Sequence, residues 1–260
     1  MELLIDLGNT RTKWLLSSGA LPADSPDDAA AHPPVCLPAG HASDAASLFA
    51  AWRDLPRPHA VAGCAVGSAQ LQQKIAAFCR THWQLQAVWL HPSAQDLGIA
   101  NPYASGQLGS DRWAALLGAA TLHPHTGLVV VSAGTACVID ALSRHGQFLG
   151  GYIAPGYRMQ RLALHQHTAR LPLAEGGAQA FPHNTADAIA SGCLFSLTGA
   201  ITQMAEQLAQ HDGCPPHILL SGGDAALLAS RLNKPARVVD NLPLRGLAAL
   251  RTSGEGVFLP

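Results

Sequence analysis

Two segments of this 260-residue chain share one pattern, in which an apolar strand runs directly into a turn that contains glycine. The first is LIDLGNT at residues 4–10, and the second is VVSAGTA at residues 130–136. Each opens a run of hairpin-type strands that is followed by alternating strands and helices. A duplicated α/β unit with a cleft between its halves would explain both runs. The alternative is a single doubly wound sheet in which the two glycine turns are unrelated. The pattern alone favours the duplication only slightly.

Hydrophobic periodicity and turn residues predict the secondary structure along the chain. Strands are expected at residues 3–7, 12–16, 59–66, 85–91, 127–132, 136–141, 147–153 and 217–221. Helices are expected at residues 45–52, 69–82, 157–170 and 185–211, with one more that begins at Ser110 or Asp111. Residues 17–45 are rich in Pro, Ala, Ser and Asp, which indicates a long surface excursion around a short strand.

Composition and charge limit the class of protein. Hydrophobic residues make up 48% of the chain, a value typical of globular proteins. The formal net charge of -1 argues against a binder of nucleic acid or acidic membranes, because such binding needs a basic field. A small uncharged or anionic substrate fits this balance better.

Cysteine usage and the first residues indicate the compartment. The six cysteines have no CxxC spacing, so we interpret them as reduced thiols rather than as a disulfide framework. Met1 leads straight into a strand without a signal peptide, and no apolar run is expected to cross a bilayer. A cytoplasmic protein is therefore expected. The close histidine pairs His123/His125 and His165/His167 lack the further ligands of a metal site.

The first glycine turn has the composition of a phosphate-binding loop. Asp6 stands at the mouth of the predicted hairpin, beside the backbone amides of Gly8, Asn9 and Thr10. Turn amides bind phosphate oxygens, and a carboxylate holds Mg²⁺ directly or through water. Lys13 is close enough in sequence to reach the same phosphates. The motif is short, and Asp-x-Gly also occurs in ordinary turns.

Two later glycine turns extend this pattern. Thr135 in the AGTA turn offers a second amide and hydroxyl cradle. Gly222 and Gly223 stand between a predicted strand and a predicted helix, where they form either a tight connection or a flat platform for an adenine or ribose. Three glycine turns in this order are much more specific than any one of them.

Asp111 and Arg112 begin an apolar helix. The helix dipole favours an acid at this position. A capping role therefore explains Asp111 about as well as a functional role. In the functional interpretation, Asp111 deprotonates a substrate hydroxyl and Arg112 binds an anionic part of the substrate. In-line phosphoryl transfer needs little more than such placement and charge neutralisation.

Six ordered motifs resemble those of the type III pantothenate kinase family. They are DLGNTRTK (6–13), LGSDRWA (108–114), SAGTACVID (132–140), GGYIAPG (150–156), NTADAIASG (184–192) and SGGDA (221–225). The resemblance implies an α/β fold of the actin/Hsp70/sugar-kinase superfamily, with two RNase H-like (actin-like ATPase) halves around a nucleotide cleft. It implies domains at residues 1–118 and 119–260. The implied activity is ATP-dependent phosphorylation of the terminal hydroxyl of pantothenate, the first step of coenzyme A biosynthesis.

The resemblance also assigns roles to residues on the ATP side. Residues 6–13 would form the first phosphate loop, with Asp6 near Mg²⁺. Thr135 would contact ATP from the second loop. Gly222 and Gly223 would lie under the adenosine.

On the substrate side, Asp111 would be the catalytic base, and Arg112 would bind the pantothenate carboxylate. The rest of the pantothenate pocket would be lined by Tyr103, Gly109, Ser110 and Thr185. Members of the family are homodimers, and the helix at 185–211 would contribute to the dimer interface.

One position departs from the family pattern. Ser132 stands where an aspartate associated with a monovalent cation, K⁺ or NH₄⁺, is usual. Serine offers a neutral oxygen in place of a carboxylate, so we expect the cation to bind weakly there or to be replaced by another contact. Cys137 stands where threonine is common, and we interpret it as a packing change because its neighbours supply no positive charge to lower its pKa.

Two other functions stay open from the sequence. A kinase for another small hydroxy or carboxy substrate would differ in the LGSDR loop and Tyr103, which set the substrate pocket. A non-catalytic regulatory or binding protein on the same fold is favoured only by Ser132. The presence of Asp6, Lys13 and Asp111 argues against such a decayed site.

Overall fold

The computed structural model describes residues 1–19, 38–168, 171, 173 and 175–260. The chain divides into two compact units, of which the first comprises Met1–Pro124 and Asn241–Pro260 and the second comprises His125–Asp240. The predicted excursion at 17–45 lies largely outside the described residues, and a short strand follows it.

A six-stranded mixed sheet forms the centre of the first unit. The strands of this unit are β1 (Glu2–Leu7), β2 (Thr12–Ser17), β3 (Ala39–Ala42), β4 (Ala60–Ala65), β5 (Ala87–His91), the short pair β6 (Gln95–Asp96) and β7 (Ile99–Ala100), and β13 (Val257–Leu259). The order across the large sheet is β13-β5-β4-β1-β2-β3. β1 is antiparallel to β2 and parallel to β4.

The second unit repeats this arrangement. Its strands are β8 (Leu128–Ala133), β9 (Ala136–Leu142), β10 (Phe148–Pro155), β11 (His217–Ser221) and β12 (Ala236–Val238), in the order β10-β9-β8-β11-β12. β8 is antiparallel to β9 and parallel to β11. In both units the first five strands of the large sheet are therefore arranged in the order third, second, first, fourth, fifth, and β13 adds a sixth strand at one edge of the first sheet. In each unit the first strand is antiparallel to the second and parallel to the fourth. The predicted α/β fold of two RNase H-like halves is confirmed.

The central strands form because their sequences suit burial on both faces of a sheet. β1 reads ELLIDL, and its four apolar residues are buried. β8 reads LVVVSA, in which three β-branched valines are buried. Asp6 interrupts the first of these runs, and Ser132 interrupts the second.

Helices cover the sheet of the first unit. They are α1 (Ala45–Arg53), α2 (Ala69–Phe78), which continues into a π-helical turn (Cys79–Trp83), α3 (Ser110–Leu122) and α7 (Leu242–Ser253). The Asp44 carboxylate caps α1 by accepting the N–H of Ser47 at 2.9 Å. Trp52 lies with its ring centroid 5.9 Å from that of Phe78 and 6.0 Å from that of Trp83. This aromatic cluster fixes α1 and α2 against one face of the sheet.

A close helix contact explains why the end of the chain belongs to the first unit. A Cβ at Gly118 of α3 would collide with the carbonyl oxygen of Leu242, and one at Gly246 of α7 would collide with that of Ala114. Two glycines without side chains therefore allow the α3 and α7 backbones to touch. β13 also pairs with β5. The prediction that the second domain runs to residue 260 is corrected, because residues 241–260 belong to the first unit. The predicted boundary between residues 118 and 119 lies within α3, whereas the first unit continues to Pro124.

The helices of the second unit are α4 (Tyr157–His167), α5 (Thr185–Asp212) and α6 (Ala225–Ala229). α5 is long and apolar enough to cross a membrane by length and composition, which corrects the expectation that no run qualifies. Half of its most apolar window is buried inside the protein. Its buried residues, such as Leu194, Leu197 and Ile201, join the core formed with β8, β9 and β11. These contacts are those of a core helix.

Candidate active site

The first glycine turn closes the β1–β2 hairpin. Asp6 and Lys13 are partners across this hairpin, one pair before the turn. The N–H of Gly8 donates to the carbonyl of Arg11 at 3.2 Å, which leaves Asn9 and Thr10 exposed at the tip. The hairpin therefore places a carboxylate and an amine beside a turn with solvent-facing backbone.

Gly67 packs directly against the backbone of this turn. The N–H of Gly67, directly after β4, donates to the carbonyl of Leu7 at 3.1 Å. A Cβ at Gly67 would lie 2.7 Å from the carbonyl oxygen of Gly8. The absence of a side chain at Gly67 thus lets two backbone segments touch under the turn. The sequence predicts only that the strand at residues 59–66 ends before Gly67.

Asp6 has a neighbour that the sequence did not indicate. The Cys64 thiol donates a hydrogen bond to Oδ1 of Asp6 across 3.7 Å, because these residues are register partners on the parallel strands β1 and β4. Burial raises the pKa of Asp6 to about 6, the opposing charge of Lys13 lowers it in part, and the charge of Asp111 adds to the rise. Lys13 and Asp111 therefore both lie close enough to act electrostatically on the Asp6 carboxylate.

The start of α3 positions Asp111. Its Oδ1 accepts the N–H of Arg112 at 2.8 Å, and a Cβ at Gly109 would lie only 2.7 Å from the same oxygen. Ser110 anchors this turn to β4 through bonds between its hydroxyl and both backbone groups of Ala65, at 3.0 and 3.2 Å. Burial raises the pKa of Asp111, against the stabilising effect of the Arg112 N–H. A carboxylate of this kind is suited to accept a proton.

Arg112 and Tyr103 form the adjacent pair. Arg112 is buried, and its Nη2 donates to the Tyr103 hydroxyl at 3.4 Å. The guanidinium carbon also lies 5.4 Å from the centroid of the Tyr103 ring. The N–H of Tyr103 is bound by the side-chain oxygen of Asn101 at 3.0 Å. The structure thus brings together Tyr103, Gly109, Ser110, Asp111 and Arg112.

The second unit holds the other predicted ATP-binding residues. Thr135 is exposed in the β8–β9 turn, and its carbonyl accepts the N–H of Gly156 at 2.9 Å. Gly222 has a φ of +109°, and a Cβ there would collide with the carbonyl oxygen of Ala133. Gly223 has open space around its Cα. The two turns at the ends of β8 and β11 therefore lie side by side.

Ser132 lies at the end of β8 as a register partner of Ser221. These serines supply neutral hydroxyl oxygens. The carboxylate that follows them in this unit is Asp224, whose pKa is raised by burial and lowered in part by Arg158. Cys137 is buried, and burial together with the charge of Asp224 raises its pKa to about 11, as expected for a packing residue rather than a reactive thiol.

Thr185 is the first residue of α5, after the N-cap Asn184, whose side chain accepts the N–H of Asp187 at 2.9 Å. It lines a groove of about 700 Å³ between α4 and α5. His183, Ile189 and Cys193 also line this groove. Thr185 belongs to the second unit, whereas the other predicted pantothenate-binding residues belong to the first.

The carboxylates of the first unit fit a divalent cation. Among the described residues, no three His, Cys, Asp or Glu side chains are grouped to hold a metal by themselves. Mg²⁺ in phosphoryl-transfer sites needs only one or two carboxylates, because water and substrate phosphates complete its shell. Asp6, held by Cys64 and coupled to Asp111, provides such a donor set.

Comparisons with solved structures support the fold. A structure described as a conserved Baf family transcriptional activator from Campylobacter jejuni has 21% identity and a TM-score of 0.60, and the match covers 97% of this chain and 98% of that one. A structure named as a 2-dehydro-3-deoxygalactonokinase protein from Sinorhizobium meliloti has 14% identity and a TM-score of 0.52, covering 96% and 99%. The two RNase H-like units and these matches place the chain in the class of proteins with the actin-like ATPase fold.

Sequence comparisons identify the family within this class. The family model for type III pantothenate kinase matches residues 2–207. Type III pantothenate kinases from Laribacter hongkongensis and Acidovorax ebreus are 42% and 36% identical, with 96% and 94% of this chain and 98% and 94% of theirs covered. The chain therefore belongs to the type III pantothenate kinase family. The predicted pantothenate phosphorylation in coenzyme A biosynthesis, with ATP as the phosphoryl donor, is confirmed at the level of this family.

Proposed function

We propose that the residues assembled around Asp6 and Asp111 transfer the terminal phosphoryl group of ATP to the terminal hydroxyl of pantothenate. The observation that carries the proposal is that Lys13, the partner of Asp6 across the β1–β2 hairpin, and Asp111, at the start of α3, both act on the Asp6 carboxylate. Phosphoryl transfer requires charge neutralisation at the phosphates and a base near the acceptor, and these residue types supply both.

In this mechanism the first unit holds the reacting groups. The exposed turn backbone at Asn9 and Thr10 binds phosphate oxygens, Gly8 closes the turn through its bond to Arg11, and Lys13 neutralises the phosphate charge. Asp6 holds Mg²⁺, which supplies charge stabilisation at the phosphates when it is bound. Cys64 and the β1–β4 register keep the Asp6 carboxylate in place.

Asp111 accepts the proton of the pantothenate hydroxyl at a carboxylate oxygen. Its position is set by the Arg112 N–H and by the space that Gly109 leaves. Arg112 binds the pantothenate carboxylate through its guanidinium, and Tyr103 orients Arg112 through the hydroxyl contact and the ring face. Ser110 and Thr185 complete the substrate contacts.

The second unit contributes to nucleotide binding. Thr135 binds a phosphate from the β8–β9 turn, and Gly222 and Gly223 bind the adenosine. Gly222 lets the turn pack against the Ala133 backbone, and the open space at Gly223 allows a flat ligand to approach the backbone.

The monovalent cation fits this chain less well than Mg²⁺. Ser132 and Ser221 offer only neutral hydroxyl oxygens at paired positions, so a K⁺ or NH₄⁺ ion there would lack the carboxylate of the family pattern. No step of the mechanism depends on that cation. We infer that the chain works without a bound K⁺ at Ser132.

The proposed assembly is a cytoplasmic homodimer. Large apolar side chains are exposed on β10, α4 and α5, and Ile153 is 64% exposed. The further members of this surface are Leu149, Tyr152, Met159, Leu162, Leu164 and Phe195. An exposed apolar patch of this kind marks an interaction surface, and a second copy of the chain is the proposed partner.

The test is a direct assay of the purified protein with ATP, Mg²⁺ and pantothenate, with 4′-phosphopantothenate detected by mass. We expect product in Na⁺, K⁺ and NH₄⁺ buffers. Parallel assays with other small hydroxy acids in place of pantothenate test the alternative that the protein phosphorylates a different substrate. Absence of product with every acceptor and cation would refute catalysis and favour a regulatory role.

A further inference from the structure

A short hairpin precedes the substrate residues of the first unit. β6 and β7 pair with each other and lie outside the large sheet. Their turn consists of Leu97 and Gly98, both left-handed, with φ values of 49° and 75°. This is the two-residue turn geometry that suits the twist of a hairpin. The hairpin connects β5 to the segment that carries Tyr103.

Asp96 of this hairpin is a buried carboxylate with two side-chain donors. Its Oδ2 accepts a bond from the Ser93 hydroxyl at 2.6 Å and one from the Trp113 indole N–H at 2.7 Å. Trp113 is completely buried in the first turns of α3, two residues after Asp111. Both bonds are short, and both end on the same carboxylate oxygen. Asp96 therefore ties the hairpin to the helix that carries the proposed base.

The same hairpin also holds Tyr103. Asn101 donates through its side-chain amide to the carbonyl of Ser93 at 2.9 Å and through its backbone N–H to that of Ala94 at 2.9 Å. Its side-chain oxygen accepts the N–H of Tyr103 at 3.0 Å. The contact between Tyr103 and Arg112 returns to α3. The resulting closed chain of hydrogen bonds runs through Trp113, Asp96, Ser93, Asn101, Tyr103 and Arg112.

We propose that Asp96 is a positioning residue that fixes Tyr103 relative to Arg112 and so sets the carboxylate-binding end of the acceptor site. The inference rests on the proposed function, in which Arg112 binds the pantothenate carboxylate. Asp96 acts through Trp113 and the hairpin, without contact to substrate. Its loss affects the acceptor side of the reaction and leaves the phosphate loop in place.

The experiment compares Asp96→Ala and Trp113→Phe with the wild type. Trp113→Phe keeps an aromatic ring but removes the indole N–H donor together with part of the buried ring volume, so its packing loss must be compared with that of a second buried tryptophan. Both variants should raise the KM for pantothenate about tenfold, with the KM for ATP changed by less than about twofold. The double variant should show about the same KM as Asp96→Ala, because Asp96→Ala already lacks the bond that Trp113→Phe removes. Asp96→Asn keeps an acceptor oxygen and should restore part of the pantothenate affinity.

Trp52→Phe is the matched control. Trp52 is another fully buried tryptophan of the first unit, and no acceptor among the described residues binds its indole N–H. This substitution changes packing without removing a hydrogen bond to the hairpin. It should lower thermal stability without a selective rise in the KM for pantothenate. An equal rise of both KM values in Asp96→Ala and Trp52→Phe would overturn the proposal.

Hydrogen exchange tests the proposal independently of catalysis. Deuterium uptake by peptides that cover residues 93–103 should rise in Trp113→Phe, while uptake by β1 and β4 peptides stays at the wild-type level. Unchanged uptake in the hairpin peptides would overturn the proposal, even if the wild type proves inactive toward pantothenate. A wild type without activity refutes the proposed function alone. Trp113→Phe keeps a buried aromatic ring at this position, so this variant still tests the proposal if Asp96→Ala fails to fold.

Discussion

The thiol of Cys64 donates a hydrogen bond to Oδ1 of Asp6 across 3.7 Å, from the paired position on the neighbouring parallel strand. Asp6 therefore stands within the sheet rather than in the loop that follows it. Burial raises its pKa to about 6, although Lys13 opposes this rise. The proposed metal carboxylate is consequently a source of instability in the empty protein.

Asp6→Asn should stabilise the protein in the absence of nucleotide and metal. The folded-state pKa of Asp6 exceeds its ordinary value of 3.8, so ionisation between these values disfavours the fold as pH rises. The neutral variant escapes this loss. Above pH 6 its free energy of unfolding should exceed that of the wild type by about 1–3 kcal/mol, and this difference should shrink toward pH 4. Denaturant unfolding at several pH values measures it, and Mg²⁺-ATP binding should be lost.

Asp212→Asn provides a control of opposite sign. Burial works against ionisation of Asp212, but bonds from His211 at 2.9 Å and from the Arg144 N–H at 2.9 Å outweigh it and lower its pKa. The ionised form thus stabilises the fold at neutral pH. Its replacement should lower the free energy of unfolding at pH 8, where Asp6→Asn raises it. Equal signs for the two variants would contradict the electrostatic account.

Asp111→Asn tests the proposed base. The variant should fold and bind ATP nearly as the wild type does, while kcat falls by roughly 10²–10⁴-fold. Burial raises the pKa of Asp111, so wild-type kcat/KM should decline with falling pH below a pKa higher than the ordinary 3.8. The variant should lose this acid limb. Stopped assays across pH, together with ATP titration by calorimetry, provide the measurement. Near-normal turnover would remove Asp111 from the mechanism.

Gly109→Ala tests the steric placement of that base. The added Cβ would lie 2.7 Å from Oδ1 of Asp111, a distance that forces the carboxylate to move. We expect kcat to fall by about tenfold or more, because small displacements of a reacting group have large effects on rate. The KM for ATP and the thermal midpoint should change little. A variant with normal kcat would show that the Asp111 carboxylate tolerates displacement.

Much of the fold was predictable because its signals are local. The strand of Asp6, its hairpin partner and the helix of Asp111 all follow from apolar runs and turn residues. The β6–β7 hairpin was missed because two-residue strands have no periodicity to detect. α7 was also missed, although Pro243 in its first turn is a recognised start signal.

The site was less predictable where it depends on register. The residue types of Asp6, Lys13 and Asp111 suggested phosphate chemistry, but Lys13 reaches Asp6 through strand pairing, and Asp111 reaches it because Ser110 anchors the start of α3 to β4. Cys64 reads in the sequence only as a buried thiol, and its contact with Asp6 requires the parallel alignment of β1 and β4. Asp96 reads as a loop acid, and only the folded chain places it against Trp113.

Ser132→Asp should introduce a cation dependence. The serine pair at the ends of β8 and β11 is neutral, and an aspartate at position 132 would restore the carboxylate of the family pattern and strengthen the attraction for K⁺ or NH₄⁺. We expect the wild type to turn over at rates within about twofold in Na⁺ and K⁺ buffers, and the variant to be stimulated several-fold by K⁺. A wild type that depends strongly on K⁺ would contradict the assignment of a neutral site at Ser132.

Ile153→Asp tests the apolar surface on β10, α4 and α5. Ile153 is 64% exposed on β10, the edge strand of its sheet, so a charge there is harmless to an isolated chain. In a dimer it would be buried without a partner, which costs several kcal/mol. We expect light scattering to show a dimer for the wild type and a monomer for the variant. Val257→Asp, at a 47% exposed residue of β13 outside this surface, should remain dimeric. If both variants dimerise as the wild type does, the second copy binds through another face.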